Sequence, residues 1–194
     1  ASKKAVKAYK NMLKEGSFTA YNKVNKTNKT YPLASYLMLD IDKDGIKEFI
    51  VSSCPVGELS DSFDAPTLYI YTFKDGEIKE LGSAQGVAQP DIGATEVPYN
   101  KKYKTLLGMF HPLLGMGSTD SRSYKISGDS LLRTYWLTSS YNYWDETVYL
   151  TYAESENHDS VRVSDKKYRK LLKKYYTGKQ IKTFYMKNNS YAAS

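Results

Sequence analysis

Apolar positions recur at helical spacing only near the two ends of this chain, and between them they come in short runs that alternate with polar residues. Ala5, Val6, Tyr9, Met12 and Leu13 fall on one face with lysines on the other, which predicts an amphipathic helix over 3–14 stopped by Gly16. Toward the other end Tyr168, Leu171, Leu172, Tyr175 and Tyr176 form a second helical face, with Ser164 as N-cap, Asp165 in the first turn and Gly178 past the end. The intervening runs 35–39, 49–51, 67–73, 78–81, 123–126, 131–137 and 147–152 are rich in aromatic and β-branched residues and read as strands. Asp75-Gly76 suits the two-residue type I′ turn of a hairpin joining 67–73 to 78–81. Residues 22–30 show no period and read as a loop, 106–117 as a buried strand followed by a turn, 138–146 as a turn, and 181–186 as a last edge strand, while 82–94 mix Gly, Ala, Gln and Pro without periodicity. The expected fold is α+β: one domain over 1–194, built on an antiparallel meander of about 6–8 strands flanked by an N-terminal and a C-terminal amphipathic helix.

One turn has a spacing that calls for chemistry. Within the hairpin of residues 35–53, Asp40, Asp42 and Asp44 alternate, Gly45 permits a sharp turn, Ile46 offers a backbone carbonyl, and Glu48 opens the next strand. Hard oxygens at that spacing suit Ca²⁺, which takes roughly 6–8 of them. An EF-hand needs a bidentate Glu at the twelfth loop position, and that residue here is Val51. The stretch resembles the D-x-D-x-D-G-x-x-[DE] loops of FG-GAP and VCBS-type repeats, in which calcium ties a turn between two strands. It occurs once, so the resemblance implies a similar ion site, with Asp40, Asp42, Asp44, Ile46 and Glu48 as ligands, and does not imply a propeller. Read without a metal, the same residues are an exposed turn rich in Asp and Gly.

Charge sharpens the picture. The net charge of +7 conceals basic ends and an acidic middle: residues 1–30 hold eight lysines and one acid, 162–187 ten basic groups and one acid, and 31–161 ten basic and nineteen acidic groups. Such ends can attract an anionic polymer or serve as solvated helix faces, and with no nucleic-acid motif and an acidic middle, nucleic acid is an unlikely partner. A single cysteine, Cys54, excludes an internal disulfide. No apolar run is long enough to cross a bilayer as a helix, and any export signal or lipid anchor is expected to have preceded Ala1. A weak calcium loop fills in the millimolar calcium outside cells, so an extracellular or cell-surface location is expected. In layout and composition the chain resembles small exported domains of unassigned role from Gram-positive anaerobes.

Catalytic signatures are sparse. The two histidines, His111 and His158, have no metal-ligand spacing, and G-x-S-x-G and H-E-x-x-H are absent. A carboxylate-based hydrolase stays open because acids are plentiful in the middle of the chain. The reading favoured over an enzyme is a binding module for an envelope polymer, glycan or surface protein. Its candidate surface is drawn from Tyr135, Trp136, Tyr141, Tyr143, Trp144, Tyr149 and Tyr152, with Tyr141, Tyr143 and Trp144 expected in an exposed turn. A calcium-stiffened scaffolding domain with no small ligand is the alternative.

Overall fold

The computed structural model describes residues 2–22, 26–58, 66–89, 93–110, 119–142, 147–155 and 158–191. Helix α1 (Ser2–Glu15) ends at Gly16, whose φ of +68° is one that side chains resist and whose N–H donates to the Met12 carbonyl at 3.1 Å. Strands β1 (Ser17–Asn22) and β2 (Thr27–Pro32) pair with each other alone. Next come β3 (Ser35–Leu39), β4 (Glu48–Ser52), β5 (Thr67–Lys74) and β6 (Glu77–Gln85), an antiparallel succession within one sheet. A second sheet takes β7 (Val87–Gln89), β8 (Ala94–Asn100), β9 (Thr105–Phe110), β10 (Thr119–Ser127), β11 (Ser130–Asn142), β12 (Thr147–Ala153) and β13 (Val161–Arg162). After helix α2 (Asp165–Tyr175), β14 (Ile181–Tyr185) joins β8 in this second sheet, and β15 (Lys187–Asn188) crosses to pair with β3 in the first.

Every strand pair is antiparallel, and the fold is sheet-dominated α+β. The single meander of about 6–8 strands is not what forms. Among the described residues fifteen strands divide into a hairpin, a five-stranded sheet ordered β15-β3-β4-β5-β6, and an eight-stranded sheet running from β13 to β14. The reason lies in the burial of β4, all five of whose residues are inside. A strand covered on both faces cannot belong to a sheet with one solvated side. On one face Ile50 joins Leu39, Ile41, Leu68 and Ile70, which share a cluster with Val97, Tyr99, Leu106 and Tyr124 of the second sheet. On the other face Phe49 and Val51 meet Ala5, Tyr9 and Leu13 of α1, with Tyr9 and Phe49 stacked at 4.8 Å between centroids. Tyr168, Tyr175 and Tyr176 of α2 cluster instead with Leu107, Leu137 and Tyr152 of the second sheet.

Local signals were read well where they were strong. Asp75 and Gly76 take φ of +56° and +89°, the left-handed pair a type I′ turn needs. Ser164 caps α2 by accepting from the Lys167 N–H. By contrast, 27–32 forms a strand whose residues are almost all exposed, so no apolar alternation marks it. Residues 82–94 show no period in the sequence, yet β6 extends to Gln85, β7 spans Val87–Gln89 and β8 begins at Ala94. The C-terminal segment closes the molecule: buried Asn189 donates its amide to the Leu13 and Leu33 carbonyls at 2.9 and 3.1 Å.

Candidate metal centre

The turn between β3 and β4 leaves the first sheet and docks on the second. Ile41 is fully buried in the core between the sheets, and its carbonyl accepts the Tyr99 hydroxyl of β8 at 2.7 Å. Lys104, in the turn after β8, donates to the Asp42 carbonyl at 2.7 Å. The turn bends where its sequence permits, with φ of +67° at Lys43 and +90° at Gly45. Two short side-chain contacts rigidify it: Asp42 accepts the Asp44 N–H at 3.2 Å and Asp44 the Ile46 N–H at 2.7 Å.

This path brings three carboxylates together. Asp40, Asp42 and Glu48 each offer an oxygen, and those oxygens lie within 4.8 Å of one another. Glu48 is almost wholly buried; its Oε2 accepts the Ile41 N–H at 2.8 Å and its Oε1 faces the Thr72 hydroxyl at 3.4 Å. Asp40 Oδ1 is buried and has no hydrogen-bond partner. Asp44 sits outside this triad, exposed and engaged with the turn's own backbone. Ile46 is half-buried, and only its N–H is seen to be held within the turn.

The electrostatics are those of an acid cluster with no counter-charge. Among the described residues no lysine or arginine forms an ion pair with any of the four carboxylates. The ammonium groups of Lys43 and Lys104 bind backbone carbonyls of Asp40 and Asp42 instead. Burial pushes Glu48 up to about 8, with the charges of Asp42 and Asp44 adding to the effect. Burial also raises Asp42, aided by its acidic neighbours. Two tyrosines feel the same field: burial together with the loop acids holds Tyr99 at about 12 and lifts Tyr9 well above the ordinary phenol range. An all-oxygen, anionic donor set of this kind fits a hard cation, which would take the place of the missing counter-charge and give Asp40 Oδ1 a partner.

The predicted aromatic surface is dispersed. Tyr141 lies in β11 opposite Val148 rather than in a turn, because the β11–β12 pairing continues to Asn142–Thr147; its side chain is exposed. Tyr143 and Trp144 lie outside the described residues. Tyr135 stacks on Tyr175 at 3.8 Å and on Tyr152 at 6.4 Å beneath α2, so those rings pack rather than present themselves. Trp136 lies under two arginines on the opposite face of β11, and the Arg162 guanidinium covers Tyr149 at 4.6 Å. His111 lies outside the described residues, while His158 contacts Ser155 near the chain surface. No sequence signal marked Tyr99 or Lys104, which hold the turn from 58 or more residues away. No helix among the described residues is long and apolar enough to cross a membrane. No protein-family model, curated protein or solved structure matches the chain.

Proposed function

We propose that the β3–β4 turn is a calcium site and that the protein is a calcium-stiffened binding module that works outside the cell or on its surface. Asp40, Asp42 and Glu48 would hold the ion, with Asp44 and the Ile46 carbonyl completing the shell as the loop resemblance implies. The ion supplies no chemistry in this reading; it neutralises the acids and fixes the turn against β8. The observation that carries the proposal is the gathering of one carboxylate oxygen each from Asp40, Asp42 and Glu48 within 4.8 Å, together with a buried, unpartnered Asp40 Oδ1 and no cationic side chain paired to these acids among the described residues. Millimolar calcium, available outside cells, fills even a weak site. An exposed Tyr141, with Tyr143 and Trp144 following, is the proposed contact for an envelope polymer, glycan or surface protein, and the two lysine-rich helices flanking the sheets are the proposed anionic-partner surface.

Thermal melting tests the ion site. At a calcium concentration 100 times Kd, stabilisation of about 2.7 kcal/mol raises Tm by roughly 5–10 °C over metal-stripped protein. Asp42→Ala removes that gain. Equal melting curves for wild type with and without calcium would overturn the assignment.

A further inference from the structure

A second place in the molecule has the opposite electrostatic problem. Where the two sheets meet, a cavity of about 220 Å³ is lined by Arg122, Tyr124 and Arg133 of the second sheet and by Thr67, Ser83 and Gln85 of the first. Its construction depends on a β-bulge. Tyr124 pairs with Arg133 while Ser123 pairs with Tyr135, so Thr134 is one residue too many on β11. Residues 133 and 136 of a regular strand would face opposite ways; the bulge turns Arg133 to the face of Trp136, and its guanidinium stacks over the indole at 4.5 Å. The close approach of the sheets also requires Gly108 in β9, where a Cβ would stand 2.8 Å from the Gln85 carbonyl.

The two arginines are not equivalent. Arg122 is paired with Asp120, its Nε lying 3.0 and 3.1 Å from the two carboxylate oxygens. Arg133 has no acid partner among the described residues, and its Nε is buried without a hydrogen bond. Trp136 Nε1 is likewise buried and unpartnered. Two buried donors therefore lack an acceptor, and one positive charge is left over.

We propose that this pocket binds a small hydroxylated monocarboxylate of sugar-acid size. A single uncompensated charge suits a carboxylate better than a phosphate dianion, and the planar guanidinium matches a carboxylate in a two-pronged contact. The hydroxyls of Thr67, Ser83 and Tyr124 and the amide of Gln85 suit ligand hydroxyl groups. Among the described residues no acid lines the pocket, so an amino acid's ammonium group finds no carboxylate there to pair with. The volume lies below the roughly 300–1,000 Å³ of drug-sized sites and fits one small molecule. The proposal does not rest on the calcium reading.

The test is a fluorescence titration with sodium D-glucuronate at constant ionic strength. A Trp144→Phe background makes Trp136 the sole tryptophan reporter and removes the proposed surface contact. Saturable change with glucuronate, none with D-glucose, and at least tenfold weaker binding in both Arg133→Gln and Ser83→Leu are expected. Ser83→Leu fills the cavity from the other sheet and leaves the arginine–indole stack alone, so it stands in if the arginine variant fails to fold. No saturable response in folded protein, an equal response to glucose, or tighter binding of inorganic phosphate would overturn the proposal.

Discussion

The acidic turn and the seam pocket are electrostatic opposites built in the same kind of place, where a strand of one sheet touches the other. The turn has a buried acceptor without a donor, Asp40 Oδ1, beside a Glu48 carboxylate that is almost fully enclosed and has, among the described residues, neutral donors but no cation. The pocket has a buried donor without an acceptor at Arg133 Nε, and the indole stacked under that arginine carries a second at Trp136 Nε1. A buried polar group left unpaired is costly, so each region is stabilised by a partner of opposite sign. The difference in their own charge compensation decides what that partner is. No cation is paired with the turn's carboxylates among the described residues, whereas Asp120 already neutralises half of the pocket's charge.

The largest effect that can break this comparison is pH. Burial raises the folded-state value of Glu48 from 4.5 to about 8, so the folded protein holds a proton that the unfolded chain releases. In metal-stripped protein the contribution of Glu48 to stability is therefore fullest below about pH 4.5 and is lost progressively as pH rises toward 8, by an amount on the order of a few kcal/mol. Saturating calcium replaces that proton and flattens the fall. A metal-free Tm that does not decline between pH 5 and 8 would show that Glu48 is ionised without penalty, and the turn would then need no cation.

A smaller effect separates two buried tyrosines near the turn. Tyr99 donates to the Ile41 carbonyl, so Tyr99→Phe leaves a buried acceptor unpaired and costs about 1–3 kcal/mol in denaturant melts. The Tyr9 hydroxyl is buried with no partner, so Tyr9→Phe is expected to be neutral or stabilising. Equal losses in the two variants would mean that the contact between turn and second sheet carries no special weight.

The smallest effect refines the pocket. Asp120→Asn releases Arg122 from its carboxylate and leaves two uncompensated guanidinium groups. Competition titrations should then move from preferring glucuronate toward preferring inorganic phosphate by a few-fold. Unchanged selectivity would show that Asp120 does not set the charge of the site.

How much of this was readable beforehand follows from the range of the interactions involved. The type I′ turn at Asp75-Gly76, the Ser164 cap and the acidic turn are encoded within a few residues, and the chain spells them out. Division into two sheets is not local: Ile50 and Phe49 look alike in sequence, and only the partners on each side show that one faces the second sheet and the other α1. The exposed strand 27–32 is held by pairing with β1 and carries no apolar period of its own. Arg133 was invisible as a site residue because strict alternation sets it opposite Trp136, and only the extra Thr134 reverses that. Asp44 fits the loop pattern as well as Asp42 does, and each accepts an N–H of the turn, yet only Asp42 is carried to within 4.8 Å of the Asp40 and Glu48 oxygens.

The crossing from β14 to β15, followed by Asn189, has a bearing on how the chain reaches this state. Asn189 reaches the Leu13 carbonyl across 176 positions, so this contact to the end of α1 forms only after the residues between them have left the ribosome. At about 5–20 residues per second the first helix waits roughly 10–35 s for that latch. During the wait the free side of β3 remains an unpaired template for strands of other nascent chains, and the speed of translation, as much as the final energy, governs how many molecules close correctly.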